Sequence, residues 1–214
     1  MSFRRLVVEA LGALCAIVCP LLAEAPAQAD ETKSPAALVS EVRRAFTLNG
    51  RTIPPGIFRD FGDGDLADSD GIWVTVDLAA AVGSNLYFDP IREYKDWKIQ
   101  TQQRQATDTP EETAYSFKGA TANGLLVVVA SYNGGGSGTF HTLHILDVVA
   151  ATGIDNDGKR YPRINLTNIR SVALGDRWEG EVKLSGDTVH VTTTRDGPAN
   201  NTAPAPLTII AERP

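Results

Sequence analysis

From Thr113 to its end the chain is cut into short segments in which apolar and polar residues alternate, and most cuts fall at peptides suited to tight turns. "TAYSFKGA" and "LLVVVASY" flank "TANG", where Asn123 and Gly124 tolerate the positive φ angles of a hairpin turn. "FHTLHILDVV" follows a glycine-rich stretch and "RYPRINL" follows "DNDG". "NIRSVAL", "RWEGEVKL", "TVHVTTT" and "PLTIIAE" continue the series, with Gly175, Asp176, Ser185, Gly186 and Asp187 marking further turns. Connections this short make successive strands antiparallel neighbours. The expectation is a mainly β domain, an antiparallel meander of hairpins over about residues 113–212 that forms a sheet, a sandwich or a partly closed barrel. "LLVVVA" is apolar at both alternations, so that strand is expected to be covered on both faces.

One helix precedes the hairpins. In "KSPAALVSEVRRAFTLNG", Ser34 can cap and Pro35 suits the first helical position. Leu38, Val42 and Phe46 recur at a spacing of four before Gly50 offers a stop, which places a helix over about residues 35–48 with one stripe facing the core.

Residues 1–29 read as a secretory signal peptide. Arg4 and Arg5 form a basic start, Ala10 to Ala23 carries no charge, and Ala27, Gln28 and Ala29 supply an A-x-A cleavage site. Pro20, Glu24 and Pro26 close the apolar run too early for a membrane-spanning helix, so no membrane insertion is expected after cleavage. The expected mature chain is a single domain, residues 30–214, in the periplasm or outside the cell. Both cysteines, Cys15 and Cys19, lie in the leader, and Leu14 and Val18 before them are too large for lipoprotein processing. The domain is therefore expected to fold without disulfides, on its core alone. Cleavage removes two residues of each charge sign, so the net charge stays at −6. With no run of Lys and Arg, that balance argues against nucleic acid as a partner.

Three stretches carry candidate chemistry. "RDFGDGDLADSDG" holds Asp60, Asp63, Asp65, Asp68 and Asp70. On a calcium loop Asp68, Asp70 and Gly71 fall at positions three, five and six and Asp77 at twelve, but Leu66 stands at position one, where a carboxylate is required. A solvated Asp/Gly loop is the simpler reading, followed by a strand in "GIWVTVDL". "LYFDPIREYKDWKIQ" mixes Tyr87, Phe88, Tyr94 and Trp97 with charges, as one or two strands or a ligand-facing aromatic surface, and "TQQRQATDTPEE" reads as a polar loop.

The third stretch is "SYNGGGSGTFHTLH". No Lys follows its glycines and a strand rather than a helix comes next, so it is no phosphate loop. Thr139 stands where a nucleophile elbow needs its second glycine. Ser137, His141 and Asp147 lie on one extended segment and can hardly converge as a triad. His141 and His144 are an odd number of residues apart, so a strand sends them to opposite faces, and with His190 they make a poor zinc site. The stretch thus reads as a turn that can also contact a ligand or partner through Tyr132, Asn133, Gly134, Gly135, Gly136, Ser137 and His141. No catalytic residue, metal or cofactor is expected. The leading expectation is an exported, non-enzymatic binding module of the cell envelope whose partner is a protein or a small molecule. The alternatives are a secreted hydrolase with paired carboxylates, Asp176 and Glu179 beside Trp178, and an inhibitor of a foreign hydrolase.

Overall fold

The computed structural model describes residues 33–61, 74–83, 89–102, 109–193 and 206–213. Helix α1 spans Pro35–Ala45, with the Ser34 hydroxyl accepting from the Ala37 N–H at 3.3 Å. It ends earlier than its sequence suggests. Phe46 takes a left-handed cap (φ 52°) that buries its ring, and its N–H donates to the Val42 carbonyl. Asn49 and Gly50, both at positive φ, instead form the two-residue turn between β1 (Thr47–Leu48) and β2 (Arg51–Thr52), the arrangement that Asn-Gly favours in hairpins. Glu41 ties this turn to the helix by accepting from the Gly50 N–H at 2.6 Å, Thr47 Oγ1 at 3.0 Å and Lys33 Nζ at 2.6 Å. Burial opposes its charge, but those three donors outweigh it and hold the carboxyl below the usual glutamate range.

Then come α2 (Ile57–Asp60), β3 (Val74–Asp77), α3 (Leu78–Gly83), β4 (Ile91–Tyr94), β5 (Trp97–Gln102), β6 (Glu111–Ala120) and β7 (Leu126–Asn133). They are followed by β8 (Phe140–Ile154), β9 (Arg160–Asp176), β10 (Gly180–Ser185), β11 (Thr188–Thr193) and β12 (Leu207–Ile210). The fold is mainly β and antiparallel. Strands β4 to β9 form a meander in one open seven-stranded sheet, and β3 adds to its β9 edge out of sequence order. Among the described residues β3 and β4 remain the two edges, so the sheet does not close into a barrel.

Both faces of this sheet are buried, and "LLVVVA" shows why. Leu126, Val128 and Ala130 of β7 join Val42, Phe46, Phe58, Leu78 and Leu166 in a core beneath the three helices. Leu125, Val127 and Val129 pack with Val189, Val191 and Ile209 of the β10–β11–β12 sheet, which covers the other face. The "TANG" turn fastens the layers: the Asn123 N–H donates to Asp187 Oδ1 and Nδ2 to the Ala211 carbonyl, each at 2.7 Å.

"RYPRINL" and "NIRSVAL" are not two strands but one, β9, which carries unpaired residues at Ile169 and Leu174. These bulges re-aim the strand's side chains. Beyond β7, β8 and β9 run on as a ribbon in which the Tyr161 ring lies over its cross-strand partner Gly153; a Cβ there would stand 2.5 Å from the ring.

Candidate functional site

The glycine loop is held from two directions. Asn133 Oδ1 accepts from the Gly135 N–H at 2.8 Å, an Asx turn, and Asn133 Nδ2 donates to Thr139 Oγ1 at 3.1 Å. From β9, Asp176 Oδ1 accepts from the Thr139 N–H at 2.7 Å, the Arg177 N–H donates to the Thr139 carbonyl, and the Arg177 guanidinium donates to the Ser137 carbonyl. The backbone of the loop is thus committed to turning the chain. The four glycines differ: Gly135 has φ +87° and a Cβ there would lie 3.0 Å from the Thr109 carbonyl oxygen, whereas Gly136 opens onto free space. Gly135→Ala is therefore expected to cost about 1–2 kcal/mol, and Gly136→Ala and the exposed Ser137→Ala close to nothing. Melting curves of the three variants check this ranking.

The sequence-derived contact residues divide between two faces. Tyr132 pairs with Phe140 and looks to the helix side, where the Arg59 guanidinium lies over its ring at 6.0 Å. His141 pairs with Ser131 and looks to the other side. There its ring stands between two indoles, 6.0 Å from Trp97 and 6.2 Å from Trp178. All three side chains are half-buried. Burial pushes the His141 pKa down, the Thr139 and Gly175 carbonyls and Asp176 recover part of that loss, and its Nδ1 makes no hydrogen bond of normal length among the described residues.

Both tryptophans are fixed in place. Trp178 Nε1 donates to Thr193 Oγ1 at 3.3 Å, and its ring lies on Gly180, where a Cβ would sit 2.4 Å from it. Trp97 lies beneath Lys118 Nζ, 6.0 Å from the ring centre, and Lys118 in turn donates to Asp96 Oδ2 at 2.9 Å. Burial opposes the Asp96 charge, yet Ser116 and Lys118 outweigh it and keep the carboxyl below the usual range.

His144 lies on the opposite face, as its odd spacing from His141 requires. It is 1% exposed, with the Phe58 and Phe61 rings 5.3 and 5.9 Å away. Asn168 Nδ2 donates to Ser171 Oγ at 2.8 Å, and Ser171 Oγ hydrogen-bonds His144 Nδ1 at 3.0 Å, with the direction of that bond set by the ring tautomer. This Ser–His–Asn group has the composition of a nucleophilic site. Sealed beneath aromatic rings, it lacks the access that a substrate needs, and burial drives the His144 pKa down to about 4.

The other expected chemistries do not assemble. Asp147 lies six residues beyond His141 on the same strand, roughly 20 Å along it, and is paired with Arg213 and Arg43. Asp176 is occupied by the loop, while Glu179 is exposed. Residues 62–73, which hold most of the acidic stretch and of the calcium-loop register, lie outside the described residues; Asp77, position twelve of that register, accepts from the Ala79 N–H and pairs with Arg163 at 3.0 Å. Among the described residues no three His, Cys, Asp or Glu side chains group closely enough to hold a metal. Nor is any described helix long and apolar enough to cross a membrane. Open clefts of about 490 Å³ beside Pro35, Ala150 and Tyr161 and about 250 Å³ beside Ile169, Ile210 and Arg213 involve none of the loop or indole residues. Comparison with known protein families, characterised proteins and solved structures finds no match for this chain.

Sequence reasoning noted Trp97 and Trp178 separately, as part of an aromatic surface and as the neighbour of a carboxylate pair. What joins them to His141 is register: Trp97 pairs with Ser116, Ser116 with Val129 and Val129 with Leu143, which puts Trp97 on the face that His141 also looks to. No local pattern announces an alignment across four strands.

Proposed function

We propose that this protein is a non-enzymatic binding module exported to the cell envelope, and that it engages its ligand through the Trp97–His141–Trp178 face beside the glycine loop. One observation carries this reading: among the described residues His144 and Ser171 are sealed and Asp176 is tied into the glycine loop, whereas two half-buried indoles flank an imidazole on one face. Aromatic side chains with a polar tip are well suited to binding contacts, because they offer large apolar area together with a hydrogen-bonding group. The glycine loop supports the site from its flank by fixing where β8 begins. The leader read from residues 1–29 supplies the route out of the cytoplasm.

In a sedimentation assay, purified protein is expected to pellet with isolated cell-envelope material, to release no soluble product from it, and to pellet about tenfold less well as Trp97→Ala or Trp178→Ala. N-terminal sequencing of exported protein should read from Asp30. Turnover of an ester or glycoside by the unmodified protein, abolished by Asp176→Asn or Ser171→Ala, would support the hydrolase reading instead.

A further inference from the structure

Beyond the end of β7, β8 continues with only β9 beside it among the described residues. The Val148 carbonyl accepts from the Arg43 guanidinium at 3.2 Å, so it points away from β9. In an antiparallel ladder both backbone groups of a residue point the same way, and successive residues alternate. Ala150, Thr152 and Ile154 therefore also turn their N–H and C=O groups to the open side. Thr152 faces Pro162 across the ribbon, and a proline, having no N–H, suits such an outward-facing pair.

We infer, independently of the ligand-binding reading, that this edge is a dimerisation site, at which Ala150, Thr152 and Ile154 pair antiparallel with the same residues of a second copy about a two-fold axis at Thr152. Exposed edges are normally guarded by shortness, charge or proline. Among the described residues β3 and β12 have only four residues each, β4 carries Arg92 and Glu93, and β10 carries Glu181 and Lys183. The free side of β9 in the ribbon is blocked by Arg160 and Pro162. From Val148 to Ile154, β8 has no proline, no charged residue and no bulge. The unpaired groups of such an edge call for an extended backbone.

The register about Thr152 suits a second copy in particular. It sets Ile154 of each copy opposite Ala150 of the other, so every outward-facing residue meets another and Arg43 keeps its place on Val148. Alternation puts Ile154 on the same face as Ala150 and Thr152, which line the open cleft of about 490 Å³ with Pro35 and Pro162. The Ile154 side chain, 67% exposed, thus enters the cleft of the other copy. The same register brings Asp157 beside Asp147 of the second copy, where two guanidiniums, those of Arg43 and Arg213, face one carboxylate. Asp157 is exposed and makes no ion pair among the described residues, so its charge is available to them. Each of these contacts occurs twice, as an isologous interface requires. Only a few residues pair, so the dimer is a weak one.

Sedimentation velocity of the exported protein is expected to show a monomer–dimer equilibrium with a midpoint on the order of 10–100 μM. Thr152→Pro removes an N–H that the ribbon does not use, and it should weaken the dimer by at least about tenfold, as should Ile154→Asp. Asp157→Lys should weaken it by about threefold. Ile210→Asp, at an exposed isoleucine on β12, should leave it unchanged. Should a variant fail to fold, hydrogen exchange of the unmodified protein still decides: the amides of Ala150, Thr152 and Ile154 should gain protection as its concentration rises. A protein that stays monomeric up to about 1 mM overturns the inference. So does a dimer that keeps its affinity in Thr152→Pro or leaves those amides unprotected, because it then forms through another surface.

Discussion

Acidification from pH 6.5 to pH 4 is expected to remove on the order of 3 kcal/mol of folding stability through His144 alone. Above pH 6.5 the imidazole is neutral both folded and unfolded. As the pH falls, the unfolded chain takes up a proton near 6.5, while the folded chain refuses it until about 4, because burial beneath Phe58 and Phe61 penalises the charged ring. The unfolded state therefore binds more protons across that window, and stability drops with falling pH. His141, whose pKa is also lowered by burial, adds in the same direction. Glu41 and Asp96 contribute below the ordinary carboxylate range, where their donors lose a charged acceptor. Denaturant titrations at half-unit pH steps should show a slope between pH 6.5 and 5 that His144→Leu largely removes. An unchanged slope in that variant would mean that His144 is charged or hydrated in the folded protein.

Gly180→Ala should be the most damaging Gly→Ala substitution among the described glycines. Its Cβ would stand 2.0 Å from the Thr192 carbonyl oxygen and 2.4 Å from the Trp178 ring, so the backbone of β11 or the indole has to move. A forced shift of this kind costs about 1–3 kcal/mol, and displacing the indole breaks its hydrogen bond to Thr193. The variant is thus expected to melt lower and also to lose envelope binding. Gly186→Ala, at φ +59° with open space around it, is a matched control: it destabilises through backbone strain but leaves Trp178 in place, and binding should survive. Equal binding losses in the two variants would show that global instability, rather than indole position, governs the result.

The mainly β architecture was legible because its signals are local. Gly124 and Gly186 sit at turns with positive φ, the two apolar alternations of "LLVVVA" face two cores, and Ser34 and Pro35 open α1 as their chemistry dictates; Gly175 and Asp176, expected to mark a turn, instead end β9, where the positive φ of Gly175 adjoins the bulge at Leu174. The misplaced end of α1 has an equally local cause: "LNG" is read as a helix stop only if Phe46 is assumed helical, and burial of that ring makes it the cap instead. The site depended on events with no local signature. Two bulges in β9 bring Ser171 to His144 and set where Gly175 meets His141, and the pairing of β3 with β9 joins strands far apart in the chain. Alternation predicts which residues share a face within one strand, and it correctly separated His141 from His144. It cannot count residues across strands that carry unpaired positions.

The most direct test of the central claim is a two-dimensional NMR titration of the unmodified ¹⁵N-labelled protein with solubilised cell-envelope material, following the indole N–H signals. The account expects the Trp97 and Trp178 signals to shift or broaden together with the amides of Ser131 and His141, while the amides of Arg59 and Phe58 on the helix side stay in place. Binding that leaves both indole signals unmoved, or that shifts only the helix side, would contradict it.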